Sequence, residues 1–261
     1  MFFPERLPDV AGFSGGVCLS VSFIGSIGVL VTHVKEVPKE FRAVKSSYRN
    51  MNHIRGNGVV MKVPFRQQAT EYDCVPTSLM NAMSYLFSRR ELPPFVVHKV
   101  YKDCLDYEAA RGTTGRAIRD IGFWLNCYTE KRFDKFVVKS RYIYGKQVHL
   151  KRNSRIIRCL EEHGTVLMCL HTSQYERHCV LCLRAEDDWL YCYDPSPRTR
   201  RYITDEAVQF VEPMSHHGPN LRIRSDWLER DLDNATNPDE RKYVFGNTDY
   251  RECLLLNRIH L

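Results

Sequence analysis

Three short apolar runs follow one another between residues 165 and 193: 165–171, 178–185 and 189–193, with Glu186-Asp187-Asp188 between the last two. Each has the length and the Val, Leu, Cys and aromatic content of a strand, and the acidic triplet is turn chemistry, so the last two runs read as a hairpin. Residues 136–144 are also strand-like, and 154–163 form a short helix closed by Gly164. Further strands are expected at 242–245 and 252–257, after a polar, helix-like interval around 225–231.

The first half has a different period. Leu79, Met80, Met83, Leu86 and Phe87 recur at helical spacing from about Pro76 to Phe87. Asp73 stands at the N-cap, Pro76 suits the first turn, Arg89 and Arg90 favour the C-terminal end, and Pro93-Pro94 stops the helix. Residues 95–110 read as a second helix. Thr114 caps a third that carries Ile118, Ile121, Trp124 and Leu125. Residues 59–65 read as a strand or extended lead-in. The Gly112-Thr-Thr-Gly115 loop opens a helix, as a phosphate cradle would, but matches neither dinucleotide nor P-loop spacing and reads as a plain connection. Helices first and an antiparallel sheet second make the fold class α+β, with two lobes and a cleft between them.

Residues 56–261 are enough to bury one sizeable core. Residues 1–55 read as an N-terminal extension, or as the product of a misassigned start, since Met51 and Met61 precede the first globular segment. The apolar run at 17–31 is 15 residues long, short for a membrane-spanning helix, and lacks an A-x-A cleavage site. Membrane anchoring or export through it is the alternative to a cytoplasmic location. The formal charge of +7 is spread along the chain with no basic block, which gives no reason to expect nucleic acid as a partner. Ten cysteines at irregular spacing, several inside apolar runs, suit buried free thiols in a reducing compartment better than a disulfide framework. Cys179-x-x-Cys182 lies in a strand, where residues three apart face opposite ways, so neither zinc nor redox pairing is expected there. His216-His217 lacks companion ligands. No metal or cofactor is expected.

Cys74 stands at the start of the first helix, with Gln68 six residues upstream. A helix N-terminus favours the thiolate, and its unpaired N–H groups, with the glutamine amide, suit an oxyanion formed when that thiolate attacks a carbonyl. Such a nucleophile needs a base, and the base an orienting group. His178 opens a strand directly after the polar loop 173–177, and Asp194 closes the next one. Pairing around the 186–188 turn brings their outer ends side by side, so that Asp194 can fix the His178 tautomer. His171 is the rival base, with no carboxylate at matching spacing. Asp187 and Asp188 are turn residues. An isolated cysteine or histidine is usually structural; the combination Gln-x5-Cys, apolar helix, His, Asp-Pro is far rarer.

These blocks, Gln68-x5-Cys74-Val-Pro-Thr, His178-Cys-Val-Leu-Cys-Leu and Tyr193-Asp194-Pro195, resemble those of the bacteriocin-processing (double-glycine) peptidase-like family of papain-like cysteine peptidases. The resemblance covers roughly residues 60–200, and the stretches 101–108 and 112–116 are similar to stand-alone bacterial members. It implies a papain-like fold, with Cys74 as nucleophile, His178 as general base and then acid, Asp194 as orienter and Gln68 as oxyanion donor. Two positions depart from the family. Val75 stands where glycine usually follows the cysteine, which narrows the site. Arg177 stands where glycine often precedes the histidine, suited to covering the cleft or recruiting an acidic group. Both are expected at the substrate. The implied activity is hydrolysis of a peptide or isopeptide bond in a peptide or protein substrate. Acyl or peptidyl transfer on the same fold, or a binding module that keeps only the groove, are the alternatives. Oligomeric state is left open.

Overall fold

The computed structural model describes residues 62–173, 176–197, 206–234 and 237–260. The expected extension over 1–55, its apolar run at 17–31, and the first part of the 59–65 lead-in lie outside the described residues. Three helices come first: α1 (Cys74–Leu86), α2 (Pro94–Cys104) and α3 (Gly115–Cys127). The order then runs β1 (Val138–Tyr144), α4 (Arg155–Glu161), β2 (Thr165–His171), β3 (Arg177–Glu186), β4 (Trp189–Tyr193), β5 (Val208–Phe210), β6 (Leu221–Arg224), α5 (Ser225–Leu228) and β7 (Glu252–Arg258). The strands form one sheet in the order β1-β7-β2-β3-β4-β6-β5, every neighbouring pair antiparallel. At this level the architecture is the α+β arrangement expected.

The sheet is covered on both faces, and the pleat assigns each strand residue to one of them. Leu167 and Cys169 of β2, Cys179, Leu181 and Leu183 of β3, and Leu254 and Leu256 of β7 join one cluster with α1, α2 and α3. Val166, Met168, Leu170, Val180, Cys182, Cys253 and Leu255 face the other way, against Ile156 and Leu160 of α4 and Trp227 and Leu228 of α5. Cys179 and Cys182 therefore lie on opposite faces, as their spacing in a strand requires. Every cysteine among the described residues is a free thiol, and all but Cys74 and Cys127 are buried.

Burial on both faces explains why β2 and β3 are almost continuously apolar. It also explains α1, whose residues are buried nearly all round. Its polar side chains are satisfied in place: Ser78 Oγ donates to the Cys179 carbonyl at 3.3 Å, Ser84 Oγ to Met80 at 2.9 Å, and Asn81 bonds both backbone groups of Arg66. Arg258 donates to the Leu86 carbonyl at 3.2 Å and pairs with Glu91 at 2.6 Å, closing the C-terminal end. Thr114 and Ser154 cap α3 and α4.

Several boundaries differ from the sequence expectation. α1 begins at Cys74, so the thiol sits in the first turn itself. The second helix stops at Cys104, and Thr113 and Thr114 fold back to bond the Cys104 carbonyl and the Asp106 carboxylate, which makes 112–115 a structural connection. Residues 242–245 are not a strand, because Tyr243 adopts a φ of 57° and leaves one bridge, His171 to Val244. β5 and β6 were not foreseen. Among the described residues, no helix is long and apolar enough to cross a membrane.

Candidate active site

The β3–β4 hairpin forms around Asp187-Asp188, with Asp187 at a φ of 53°, the left-handed turn geometry that Asp tolerates. Its register places Leu181 opposite Tyr193, so His178 near the start of β3 and Asp194 just past the end of β4 share one end of the sheet. There His178 Nε2 donates to Asp194 Oδ1 at 2.7 Å. The ring's other nitrogen is left for the Cys74 sulfur, and the two side chains are hydrogen-bonded. α1 delivers Cys74 from the helical face. Residues separated by 101 positions, Ser78 and Cys179, fasten it to β3.

Asp194 is 1% exposed, and its carboxylate is held from several sides. Tyr243 OH donates to Oδ2 at 2.6 Å and the Ser196 N–H to Oδ1 at 2.8 Å, while Asn220 bonds both the N–H and the carbonyl of Asp194. Tyr243 and Asn220 carried no sequence signal. They come from distant segments, and only the unusual backbone at Tyr243 turns its ring toward the carboxylate.

The electrostatics favour an ion pair. Burial opposes a charged His178, yet the hydrogen bond to Asp194, and then that to Cys74, outweigh it and raise its pKa to about 10. The Cys74 thiol is drawn well below its usual range, first by the hydrogen bond from Cys179, then against burial by His178. The N-terminus of a 13-residue helix adds in the same direction. Burial does the opposite elsewhere, pushing Cys104 and Cys159 up to about 12.

Asp73 was expected to cap α1 and does not. Its carboxylate accepts from the N–H groups of Ala69 and Thr70 and from the hydroxyls of Thr70 and Thr77, at 2.7–3.2 Å. That closes the 69–73 loop and leaves the first turn of α1 uncapped by a side chain. Gln68 immediately precedes this loop, its N–H bonded to the Pro195 carbonyl at 2.8 Å. The loop and the Asp-Pro segment are thus joined. The Gln68 amide nitrogen donates to the Thr70 carbonyl at 2.8 Å, and its Oε1 is buried without a hydrogen-bond partner.

Val75 lies inside α1 with helical backbone, 3% exposed, and packs into the helix-side core. No glycine conformation is needed at this position, and the side chain anchors the helix start instead of lining an open surface. Arg177 finds its acidic partner within the chain: Nη1 pairs with Glu252 at 2.6 Å, and Glu252 also accepts from Tyr142 OH at 2.6 Å. His171, the rival base, ends β2; burial lowers its pKa, with Arg177 adding to the effect. His217 Nε2 donates to the Val63 carbonyl at 2.6 Å, and its ring meets Phe65 edge-on, so that it tethers the lead-in. A thiol, an imidazole and a carboxylate in this order can form and stabilise a thiolate next to a proton donor. No protein-family model matches the chain, and no curated protein matches it.

Proposed function

We propose that this protein is a cysteine-dependent hydrolase of a peptide or isopeptide bond, built on a papain-like fold. The observation that carries the reading is the convergence of Cys74 and Asp194 on the two sides of the His178 ring, from separate elements. Cys74 attacks the carbonyl as a thiolate, and the developing oxyanion lies near the N–H groups of the uncapped first turn of α1. Gln68 joins that site only by exchanging its contact with Thr70. His178 gives its proton to the leaving amine, and Asp194 supports the imidazolium until then. Water, deprotonated by the now neutral His178, releases the acid product and restores the ion pair.

The test pairs limiting iodoacetamide at neutral pH with an ester or peptide acylating probe, on wild type and Cys74→Ala. The expected result is that Cys74 is alkylated before the exposed Cys127 and carries the acyl adduct, with no adduct in the variant. Labelling of other cysteines first, or the absence of any acyl-enzyme, would refute the proposal; the latter would favour a binding module. An amine that outcompetes water in deacylation identifies a transferase.

A further inference from the structure

Cys74 is the partly exposed end of a row of three thiols. Ser78, one turn beyond Cys74 on α1, donates to the Cys179 carbonyl at 3.3 Å and so seats the start of α1 on Cys179, whose sulfur lies 2.7 Å from that of Cys169. Cys169 and Cys179 are direct cross-strand partners of β2 and β3 on the helix-facing side, 2% and 5% exposed. Directly opposed residues in an antiparallel pair have Cα atoms about 4.5–5.5 Å apart, within the span a disulfide bridges. Hydrolysis uses neither Cys169 nor any bond between these sulfurs.

We infer that this row is a site of oxidation by hydroperoxides, in which Cys74 is oxidised first and the oxidation is then passed inward to a Cys169–Cys179 disulfide, returning Cys74 to the reduced state. The inference rests on the same ionised Cys74 as the hydrolase reading. The Cys74 thiolate attacks one oxygen of the hydroperoxide; the S–O bond forms, the O–O bond breaks, and the departing alkoxide or hydroxide takes the His178 proton. The Cys179 sulfur then attacks the sulfenic sulfur, forming the Cys74–Cys179 disulfide and releasing water. Cys169 attacks the Cys179 sulfur, Cys74 leaves as a thiolate, and the Cys169 proton returns to His178. The net reaction consumes one hydroperoxide and two thiols, and gives an alcohol or water, a second water and one disulfide.

The direction of the last step follows from the leaving group. In an exchange, the thiol with the lower pKa departs faster, and the Cys74 sulfur is held down by His178 and the helix end. Burial of Cys169 and Cys179 also keeps solvent oxidant from them, so Cys74 is the entrance.

Full-length protein is treated with limiting hydrogen peroxide, quenched with iodoacetamide and mapped without reduction by tandem mass spectrometry. Wild type should show Cys169 linked to Cys179 with Cys74 still alkylated. Cys169→Ser should stop at a Cys74–Cys179 link, and Cys179→Ser should let Cys74 advance to sulfinic acid. Alanine variants at both buried positions repeat these arms in case the serines disturb the core. Cys74→Ser should leave Cys169 and Cys179 reduced. The inference is overturned if that variant links them as fast as wild type, or if wild-type Cys74 reaches sulfinic acid while both partners stay alkylatable. A sample without peroxide separates the two readings. Cys74 labelled first in that sample, with no link formed once peroxide is added, sinks the relay alone; a relay without an acyl-enzyme sinks the hydrolase alone.

Discussion

Asp194→Asn tests the electrostatic account of the site most directly. The amide keeps the shape of the carboxylate, so Oδ1 can still accept from His178 and Ser196 while Nδ2 turns to the Tyr243 oxygen. What is lost is the charge 2.7 Å from the imidazole. An opposite charge at such a distance shifts a pKa by about 1–3 units, and each unit is about 1.4 kcal/mol, a tenfold change in equilibrium. His178, raised to about 10 in the wild type, should therefore titrate about 1–3 units lower in the variant. The thiolate–imidazolium pair should weaken by about ten- to a thousandfold relative to the neutral pair. Selective isotope labelling of the histidine ring and NMR titration from acid to strongly alkaline pH reads both the pKa and the tautomer. Asp187→Asn, in the exposed turn, should leave the titration unmoved. Folding linkage gives an independent check. A histidine with a raised pKa adds stability that is complete below its unfolded value near 6.5, and this is lost as pH rises through about 10. The variant should flatten that alkaline loss. A wild-type His178 that titrates near 6.5, or an unchanged titration in Asp194→Asn, would refute the reasoning.

Tyr243→Phe removes one donor from the buried Asp194 carboxylate and should cost about 1–3 kcal/mol in urea denaturation, a loss below 0.5 kcal/mol (roughly the scatter expected of a surface change) counting against it. Arg258→Ala should destabilise the fold at neutral pH by about 1.5–3 kcal/mol, the usual worth of a hydrogen bond to a charged group. Burial opposes ionisation of Glu91, but Arg258 and then Ser88 hold it down at about 2, so its contribution is present above about 4.5 and lost as pH falls through 2. The gap between wild type and Arg258→Ala should accordingly close in acid, and a gap independent of pH would contradict the pairing. Gly122→Ala places a methyl 2.6 Å from Leu254 Cδ1 and 3.3 Å from Ser140 Oγ, between α3 and the sheet. Overpacking of about 1–3 kcal/mol should exceed the roughly 1 kcal/mol gained in helix propensity, giving a lower Tm; an unchanged or higher Tm would show that the interface gives way.

The central hairpin and the placement of His178 beside Asp194 were legible because they follow from short-range rules: strand length, an acidic turn and register; the turn itself is shorter than the expected 186–188, since Glu186 pairs with Trp189 and leaves Asp187-Asp188. Cys74 at a helix start was legible from Asp73, Pro76 and the apolar stripe that follows. Legibility failed where a side chain chooses between partners. Asp73 has the residue type of an N-cap, yet Ala69 and Thr70, with three donors between them, and Thr77 offer it better-placed partners. Residues 242–245 have strand composition, yet a left-handed Tyr243 trades pairing for a bond to Asp194. Val75 stood out against the glycine of the resembling family. Its effect depends on which way the helix start faces, and that is fixed by packing with β3, not by local sequence. β5, three residues long, and β6, four, offer too few alternating positions to signal themselves.

The His178–Asp194 bond spans 16 residues of a hairpin, whereas the α1–β3 contact that seats Cys74 spans 101. Local contacts form early in folding and distant ones late, because closing a long loop costs more entropy. The base and its carboxylate can thus be poised before the thiol arrives. A chain in which α1 has not docked holds Cys74 away from the imidazolium that ionises it, so the thiol stays weakly nucleophilic until the fold is complete. Rapid alkylation of Cys74 would then report that α1 has docked, and a chain still folding should label no faster there than at its other thiols.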